Sequence, residues 1–292
     1  MSTTTLTGRS VSVILPCLNE AQALPPLLSN ISSILPDAEL IVVDDGSTDG
    51  SGEAARQHGA RVIRHARTLG NGAAVKSGAR AARGEVLVFL DADGQHNPSD
   101  IPRLLEKLDE GFDLAVGARE ARGHAGIHRW FANHLFNRLA SIMTGQNIGD
   151  LTSGFRAVRA RHFRRFLYLL PNGFSYPTTS TMAFIRSGLP VAYVPIQVEQ
   201  RSGRSNIRLL KDGTRFLLII IKIGTFFSPM RLFLPISVLL FLLGAGHYGY
   251  TYVTQGRLTN MSALLFISSL FTFLIGILSE QITALHYKDS ER

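Results

Sequence analysis

Two stretches near the end of the chain, Leu232–Thr254 and Met261–Ser279, contain no Asp, Glu, Lys or Arg, and they restrict the fold more than any other feature. Each is close to the roughly 20 residues an α-helix needs to cross a bilayer. A core helix of a water-soluble domain keeps a polar face, and these show almost none, so a membrane hairpin is expected rather than a buried soluble one. Only Gln255–Asn260 joins them, which makes the two helices antiparallel. Tyr248, Tyr250 and Tyr252 cluster late in the first span, as an interfacial belt does. Glu280 closes the second span, where burial in lipid is costly, so it is expected at the interface or bonded to the neighbouring helix. The sequon Asn260-Met261-Ser262 lies too near the membrane to read as a modification site.

Before the spans, Arg201, Arg204, Arg208, Lys211, Arg215, Lys222 and Arg231 stand against a single acid, Asp212, with Leu209, Leu210, Phe216, Leu217, Ile220 and Phe226 interleaved. That pattern predicts amphipathic helices in the headgroup region. Basic residues mark the cytoplasmic side, so both termini are expected there, with only the short loop crossing. The resulting division is a cytoplasmic domain over 1–200, juxtamembrane helices over 201–230 and a hairpin over 231–292. Met1–Ser10 is polar with no apolar core, so no signal peptide is expected. Two lone spans leave room for lateral contacts, and a homo-oligomer stays open. The net charge of +8 and a pI near 10.0 favour anionic partners. The basic residues crowd toward the membrane side, which speaks against nucleic acid. A single cysteine, Cys17, rules out an internal disulfide and a cysteine-cluster metal site.

Residues 11–196 alternate short apolar runs with helical stretches. Val11–Leu15, Leu40–Val43, Val62–Arg64, Val86–Leu90 and Leu114–Gly117 read as strands, and Ala21–Leu35, Ser51–His58, Gly72–Ala82 and Pro98–Glu110 as helices. Such alternation predicts an α/β fold, a mostly parallel sheet with helices on both faces. Ligands of these sheets bind beyond the C-terminal strand ends. Every polar motif falls there: Pro16-Cys17-Leu18-Asn19-Glu20, Asp44-Asp45-Gly46-Ser47-Thr48-Asp49, Thr68-Leu69-Gly70-Asn71-Gly72, and Asp91-Ala92-Asp93-Gly94-Gln95. Asp, Ser, Asn and Gly also favour turns and helix caps, and Ser47 or Asp49 could serve only to cap the following helix. Four such clusters at four successive strand ends exceed what capping needs.

Asp91 and Asp93 are two residues apart at the end of an apolar run. If the strand continued through them, both would face one side. Adjacent carboxylates repel unless a cation lies between them, and oxygen ligands suit a hard ion, Mg²⁺ or Mn²⁺, bridging to substrate phosphates. Gly70 and Gly72 would let the backbone come close to a ligand. None of the histidines shows metal-ligand spacing, although His96 follows Gln95 closely enough to touch the site.

On these residues the chain resembles the family-2 glycosyltransferases of GT-A fold. More narrowly it is similar to the polyprenyl-phosphate glycosyltransferases, through Asp91-Ala92-Asp93-Gly94-Gln95-His96, Val116-Gly117-Ala118-Arg119, Ser153-Gly154-Phe155-Arg156-Ala157, the Arg201…Arg204-Ser205 turn, and the hairpin ending Ser279-Glu280-Gln281-Ile282. The resemblance covers nearly everything after residue 10. It implies a Rossmann-like GT-A domain followed by interfacial helices and a membrane hairpin in the cell inner membrane. It also implies that Asp91, Asp93 and Gln95 hold the divalent ion, that Pro16, Asn19, Glu20, Asp44 and Asp45 line the nucleotide, and that Arg119, Arg129, Arg201 and Arg204 face phosphates. One departure is Thr68, where the family usually has Asn. The implied reaction is inverting transfer of one sugar from a UDP- or GDP-linked donor to a polyprenyl monophosphate. Asp93, Arg119, Arg129 and Arg201 would stand at the catalytic centre. Asn172–Thr181, with Phe174, Tyr176, Pro177, Thr178 and Thr179, is expected to line the acceptor or sugar pocket, and Arg156 to pair with an acid such as Asp150. A processive synthase would need more spans and a late Q-x-x-R-W motif; Arg129-Trp130 comes early and Gly126 stands in place of the glutamine. A catalytically silent nucleotide-sugar binder is the other alternative.

Overall fold

The computed structural model describes residues 8–119, 137–138, 140–141, 144–173, 176–198, 225 and 228–288. Arg129, Arg201, Arg204, Phe174 and nearly all of the juxtamembrane stretch lie outside them. The chain divides into two units, 1–141 with 146–205 and 142–145 with 206–292.

The first unit is built on seven strands: β1 Val11–Cys17, β2 Glu39–Asp44, β3 Arg61–Arg64, β4 Val86–Phe89, β5 Leu114–Arg119, β6 Arg156–Arg159 and β7 Val191–Ile196. Their order across the sheet is β3-β2-β1-β4-β6-β5-β7. Strands β1 to β4 pair in parallel, as do β5 and β7, while β6 runs antiparallel between β4 and β5. The central runs Val13–Leu15, Ile41–Val43 and Val86–Phe89 are buried on both faces, the signature of a sheet covered by helices on both sides. The one polar residue inside β1, Ser12, is satisfied: its hydroxyl donates to Glu39 Oε2 at 2.6 Å and accepts from the Gly84 amide at 2.9 Å.

The helices are α1 Leu24–Ile34, α2 Ser51–Gln57, α3 Asn71–Ala81, α4 Ile101–Asp109, α5 Ala160–Arg165 and α6 Tyr176–Arg186. Helix α4 buries Ile101, Leu104, Leu105 and Leu108, the i, i+3, i+4, i+7 stripe of an amphipathic helix. Two expected helices start late. Ala21–Ala23 form a turn in which the Glu20 carbonyl accepts from both Ala23 and Leu24, and Pro98–Asp100 is a 3₁₀ turn ahead of α4. Four elements, β6, α5, α6 and β7, were not anticipated. Strand β6 is four residues long with two arginines, and α6 carries four consecutive Ser/Thr residues, so neither shows the periodicity of its class.

The second unit contains α7 Pro229–Gln255 and α8 Asn260–Lys288, both long and apolar enough to cross a membrane. The turn between them is shorter than expected, and Gly256 closes α7 at φ +65°. Ser237, Gly244 and Thr251 form the buried stripe of α7 at seven-residue spacing, while Leu239, Phe241, Leu242, Leu270, Phe271 and Leu278 point outward. Small and polar groups lie inside and large apolar ones outside, the arrangement lipid favours. Ser237 Oγ donates to the Ser269 carbonyl, Ser269 Oγ to the Ser237 carbonyl, both at 2.9 Å, and His247 Nδ1 meets Ser262 Oγ at 2.9 Å. Glu280 bonds the neighbouring helix: its Oε2 accepts the Met230 amide at 3.3 Å, one of the donors a helix start leaves unpaired.

Candidate active site

Strands β1, β2 and β4 deliver their following loops to one edge of the sheet. The loop after β1 docks on the loop after β2 through hydrogen bonds. Asn19 N donates to Ser47 Oγ (3.0 Å), Glu20 N to Ser51 Oγ (2.9 Å), Ala21 N to Asp49 Oδ2 (3.0 Å) and Thr48 N to Asn19 Oδ1 (2.9 Å). Asn19 is the one described non-glycine residue at positive φ, +57°, a conformation that asparagine tolerates. Ser47 therefore does not cap α2. Gly50 takes the cap position, and Asp49 Oδ1 receives the Ser51 amide at 3.0 Å. Pro16 lies within β1, paired with Val43 of β2.

Asp44 and Asp45 are both buried. Asp44 Oδ1 accepts the Ser47 amide at 2.7 Å, Arg64 Nε stands 3.6 Å from Oδ2, and Gly52 of α2 packs against the same oxygen. Its work is to hold its own turn rather than face a ligand. Asp45 Oδ1 accepts from His65 Nδ1 (2.6 Å) and the Leu69 amide (2.9 Å), and Oδ2 accepts from the Gly70 amide (2.8 Å).

The close approach at Gly70 and Gly72 is made to the protein itself. A Cβ on Gly72 would collide with the Pro171 carbonyl oxygen, and one on Gly70 would lie 2.7 Å from the Asn172 carbonyl oxygen. The Gly72 and Ala73 amides at the start of α3 donate to the Gly173 and Asn172 carbonyls at 3.2 and 2.8 Å. Lys76 Nζ adds bonds to the Leu170 carbonyl (3.0 Å) and Asn172 Oδ1 (2.5 Å). The glycines thus admit the docking of segment 170–173.

Strand β4 ends at Phe89, and residues 91–94 form a turn with Gly94 at φ +72°. The Asp91/Asp93 pair is therefore a product of the turn and not of strand alternation. Asp93 Oδ1 accepts the Gln95 amide at 3.1 Å. The Asp91 side chain remains 36% exposed, hydrogen-bonded to the Asn71 side chain, with His96 Nε2 3.9 Å from its Oδ2. A Cβ at Gly154 would sit 2.8 Å from Asp91 Oδ2, so only glycine admits the carboxylate there. Desolvation pushes the Asp91 carboxyl up, against His96, and the Asp93 charge adds to the push. Burial pushes His96 down. The His96 ring lies tilted against Phe155 at 5.3 Å, its Nδ1 is buried without a partner among the described residues, and its backbone bridges to Val198.

Arg119, the last residue of β5, is held side-on by Asp150. Its Nε donates to Oδ2 at 2.7 Å and Nη2 to Oδ1 at 3.0 Å, with Thr152 Oγ1 2.5 Å from the same Nη2. Burial opposes the Asp150 carboxylate, but the Arg119 bonds override it and hold the carboxyl below its ordinary range. Asp150 thus belongs to Arg119 and not to Arg156, as the sequence led one to expect. Arg156 is fully buried, and among the described residues no carboxylate pairs with it. Its Nη1 donates to the Pro177 carbonyl (3.0 Å) and Ser180 Oγ (2.7 Å), Nη2 donates to the Ser153 carbonyl, and the guanidinium lies 5.6 Å over the Tyr176 ring. Residues Tyr176–Ile185 are buried throughout. Pro177, Ser180 and Thr181 hold Arg156, Thr178 donates to the Leu151 carbonyl, and Thr178 and Thr179 are buried where a pocket lining was expected.

A continuous set of contacts joins the two acidic turns: Asp45 to Gly70, then Asn71 to Asp91, then Gly154, whose carbonyl accepts Tyr176 Oη at 3.1 Å. Asn71, His65, Ser77 and the Arg119–Asp150 pairing escaped the sequence reading. The available signals were the position of Asn71 inside the glycine turn and of Asp150 just ahead of Ser153-Gly154-Phe155.

Residues 12–167 match the glycosyl transferase family 2 model, and residues 228–285 match the GtrB C-terminal hairpin. An undecaprenyl-phosphate mannosyltransferase of Micrococcus luteus is 34% identical over 216 residues, 68% of this chain and 87% of that protein. A polyprenol monophosphomannose synthase of Mycolicibacterium smegmatis is 32% identical over 205 residues, 65% of this chain and 77% of that one. Among solved structures, glucosyl-3-phosphoglycerate synthase from Mycobacterium tuberculosis, in complex with Mn²⁺, UDP-glucose and phosphoglyceric acid, superposes with a TM-score of 0.60. It is 26% identical and covers 74% of this chain and 79% of its own.

Proposed function

The chain belongs to glycosyl transferase family 2, and from that premise we propose that it moves one sugar from a UDP- or GDP-linked donor to a polyprenyl monophosphate at the cytoplasmic face of the membrane. The relatives' names support the lipid-phosphate acceptor, and the two apolar helices support its membrane setting. The observation that carries the reading is the Asp91/Asp93 turn, two carboxylates kept together at the ligand edge of the sheet beside Arg119.

The turn fits a divalent ion. Among the described residues no group of three or more His, Cys, Asp or Glu side chains is gathered to cage a metal. The Asp91/Asp93 pair instead forms an open, oxygen-rich set, with Gln95 adjacent, and leaves coordination positions for a diphosphate. The crowding of the desolvated Asp91 carboxylate by the Asp93 charge is what such an ion relieves. Bound there, Mg²⁺ or Mn²⁺ would supply Lewis-acid stabilisation of the leaving diphosphate.

The rest of the chemistry falls to the chain. Asp150 and Thr152 occupy Nε and Nη2 of Arg119, which aims the two N–H groups of Nη1 at an anion. Arg129, Arg201 and Arg204 complete the acceptor-phosphate site in this reading. A lipid phosphate is anionic near pH 7, so the attacking oxygen needs no general base. Attack opposite the departing diphosphate inverts the anomeric carbon, so NMR of the product from an α-linked donor should show a β-linked sugar; an α-linked product rules this displacement out. The deciding experiment is radiolabelled sugar transfer to undecaprenyl phosphate with and without EDTA. A monoglycosyl lipid formed only without EDTA supports the reading, whereas a polymer or no product overturns it.

A further inference from the structure

The Asp45 carboxylate carries more constraint than a nucleotide-lining residue requires. An ionised carboxylate has about four acceptor positions, two on each oxygen. His65 Nδ1 and the Leu69 amide occupy both positions on Oδ1, and the Gly70 amide occupies one on Oδ2. One acceptor position remains. His65 is fixed in turn. Its side chain is 9% exposed, its amide donates to the Asp44 carbonyl at 2.8 Å, and its Nε2 lies 2.9 Å from Ser77 Oγ on α3. A carboxylate only accepts, so Nδ1 carries a proton toward Asp45, while Nε2 faces the Ser77 hydroxyl. The row Ser77–His65–Asp45 looks like a hydrolytic triad. Ser77, however, lies inside α3, where its amide belongs to the helix ladder and offers no oxyanion hole.

We propose that His65, locked by Ser77, is a specificity-determining residue that leaves Asp45 a single acceptor position, so that the chain takes a uridine rather than a guanosine nucleotide. Uracil presents one imide N–H between two carbonyls and needs one acceptor. Guanine presents N1–H and N2–H₂ side by side and is matched by both oxygens of a carboxylate, one of which is already filled. Pairing guanine here would leave a donor unsatisfied in a buried site, the kind of mismatch on which polar sites discriminate strongly. The inference rests on the proposed nucleotide-sugar donor, with Asp45 lining the nucleotide as the family resemblance implies, and it sets the remaining acceptor position against the base.

Calorimetric titration of the full-length protein in detergent, with Mn²⁺ and either UDP or GDP, tests it. Wild-type protein is expected to bind UDP at least about tenfold more tightly than GDP, the margin one unmet donor supplies. His65→Ala frees a position on Oδ1 and should narrow that ratio several-fold by strengthening GDP. In His65→Asn the side-chain amide can take the place of Nδ1–H, so the ratio should be kept, and Ser77→Ala should shift it only slightly. GDP binding equal to or tighter than UDP in the wild type overturns the inference. So does an unchanged ratio in His65→Ala, read beside a folded His65→Asn control. If wild-type protein binds neither nucleotide, the nucleotide-sugar reading itself fails, and the inference falls with it.

Discussion

The turn after β2 and the turn after β4 each set two carboxylates at the end of a parallel strand, and they use them in opposite ways. Asp44 and Asp45 are buried, and the Ser47, Leu69 and Gly70 amides and His65 hold their oxygens, with one acceptor position of Asp45 left over. Asp91 is partly exposed, and desolvation and Asp93 push its carboxyl up. A carboxylate with several hydrogen bonds to its charged form stabilises the fold, whereas one crowded by a like charge is held at a cost. The first turn places its charge within the fold and leaves one acceptor position on Asp45; in the proposed reading, the second keeps charge available for a metal ion.

The widest separation between the turns should come from charge removal in the second. Asp91→Asn and Asp93→Asn are expected to lower transfer by roughly a thousandfold, the several kcal/mol a lost Lewis-acid site represents. The sign of the stability change is the sharper test. An acid whose folded pKa is raised adds stability as pH falls through that value and carries a penalty above it. Asp91→Asn should therefore melt at or above the wild-type temperature at pH 7, and a clear drop would break the contrast. Asp44→Ala should behave in reverse. It strands the Ser47 amide, costing about 1–3 kcal/mol, or about 2–4 °C per kcal/mol in a thermal melt. Any Mn²⁺-induced rise in melting temperature should persist in Asp44→Ala and vanish in Asp93→Asn. The smallest effect concerns Asp150. Its folded pKa is depressed, so its contribution is present above the unfolded value near about 3.9 and lost as pH falls through the folded one. Wild-type protein should lose stability in that acid window, and Asp150→Asn should lose less, by circular dichroism melts.

Much of this was legible in the sequence. The first five strands, a mostly parallel sheet and the two apolar helices followed from apolar runs and their spacing, most clearly in β1, β2 and β4, where burial on both faces leaves an unbroken pattern. The second half of the sheet was not legible. Strand β6 reads Arg156-Ala157-Val158-Arg159, and its burial depends on α6 supplying hydroxyls and a carbonyl to Arg156, a tertiary arrangement with no local period. Among the site residues, residue type marked the acidic pairs but could not separate their roles. Asp45 and Asp91 differ in what reaches them, the His65 ring with the Leu69 and Gly70 amides on the one and the Asn71 side chain and His96 on the other, and most of these come from other loops. Gly72 is the same case: its need for glycine comes from Pro171, about a hundred positions away in the chain.

The reversed strand β6 has a consequence for how such a scaffold can change. Because it runs against β5, chain leaving the sheet at Arg119 comes back at Ser153 on the very edge it left, so no crossover has to be spanned. The Arg119–Asp150 pair ties the two ends together like the neck of a purse. Insertions or deletions between Arg119 and Asp150 then leave the register of β5 and β6 fixed. Arg119 and Asp150, the neck itself, should resist exchange.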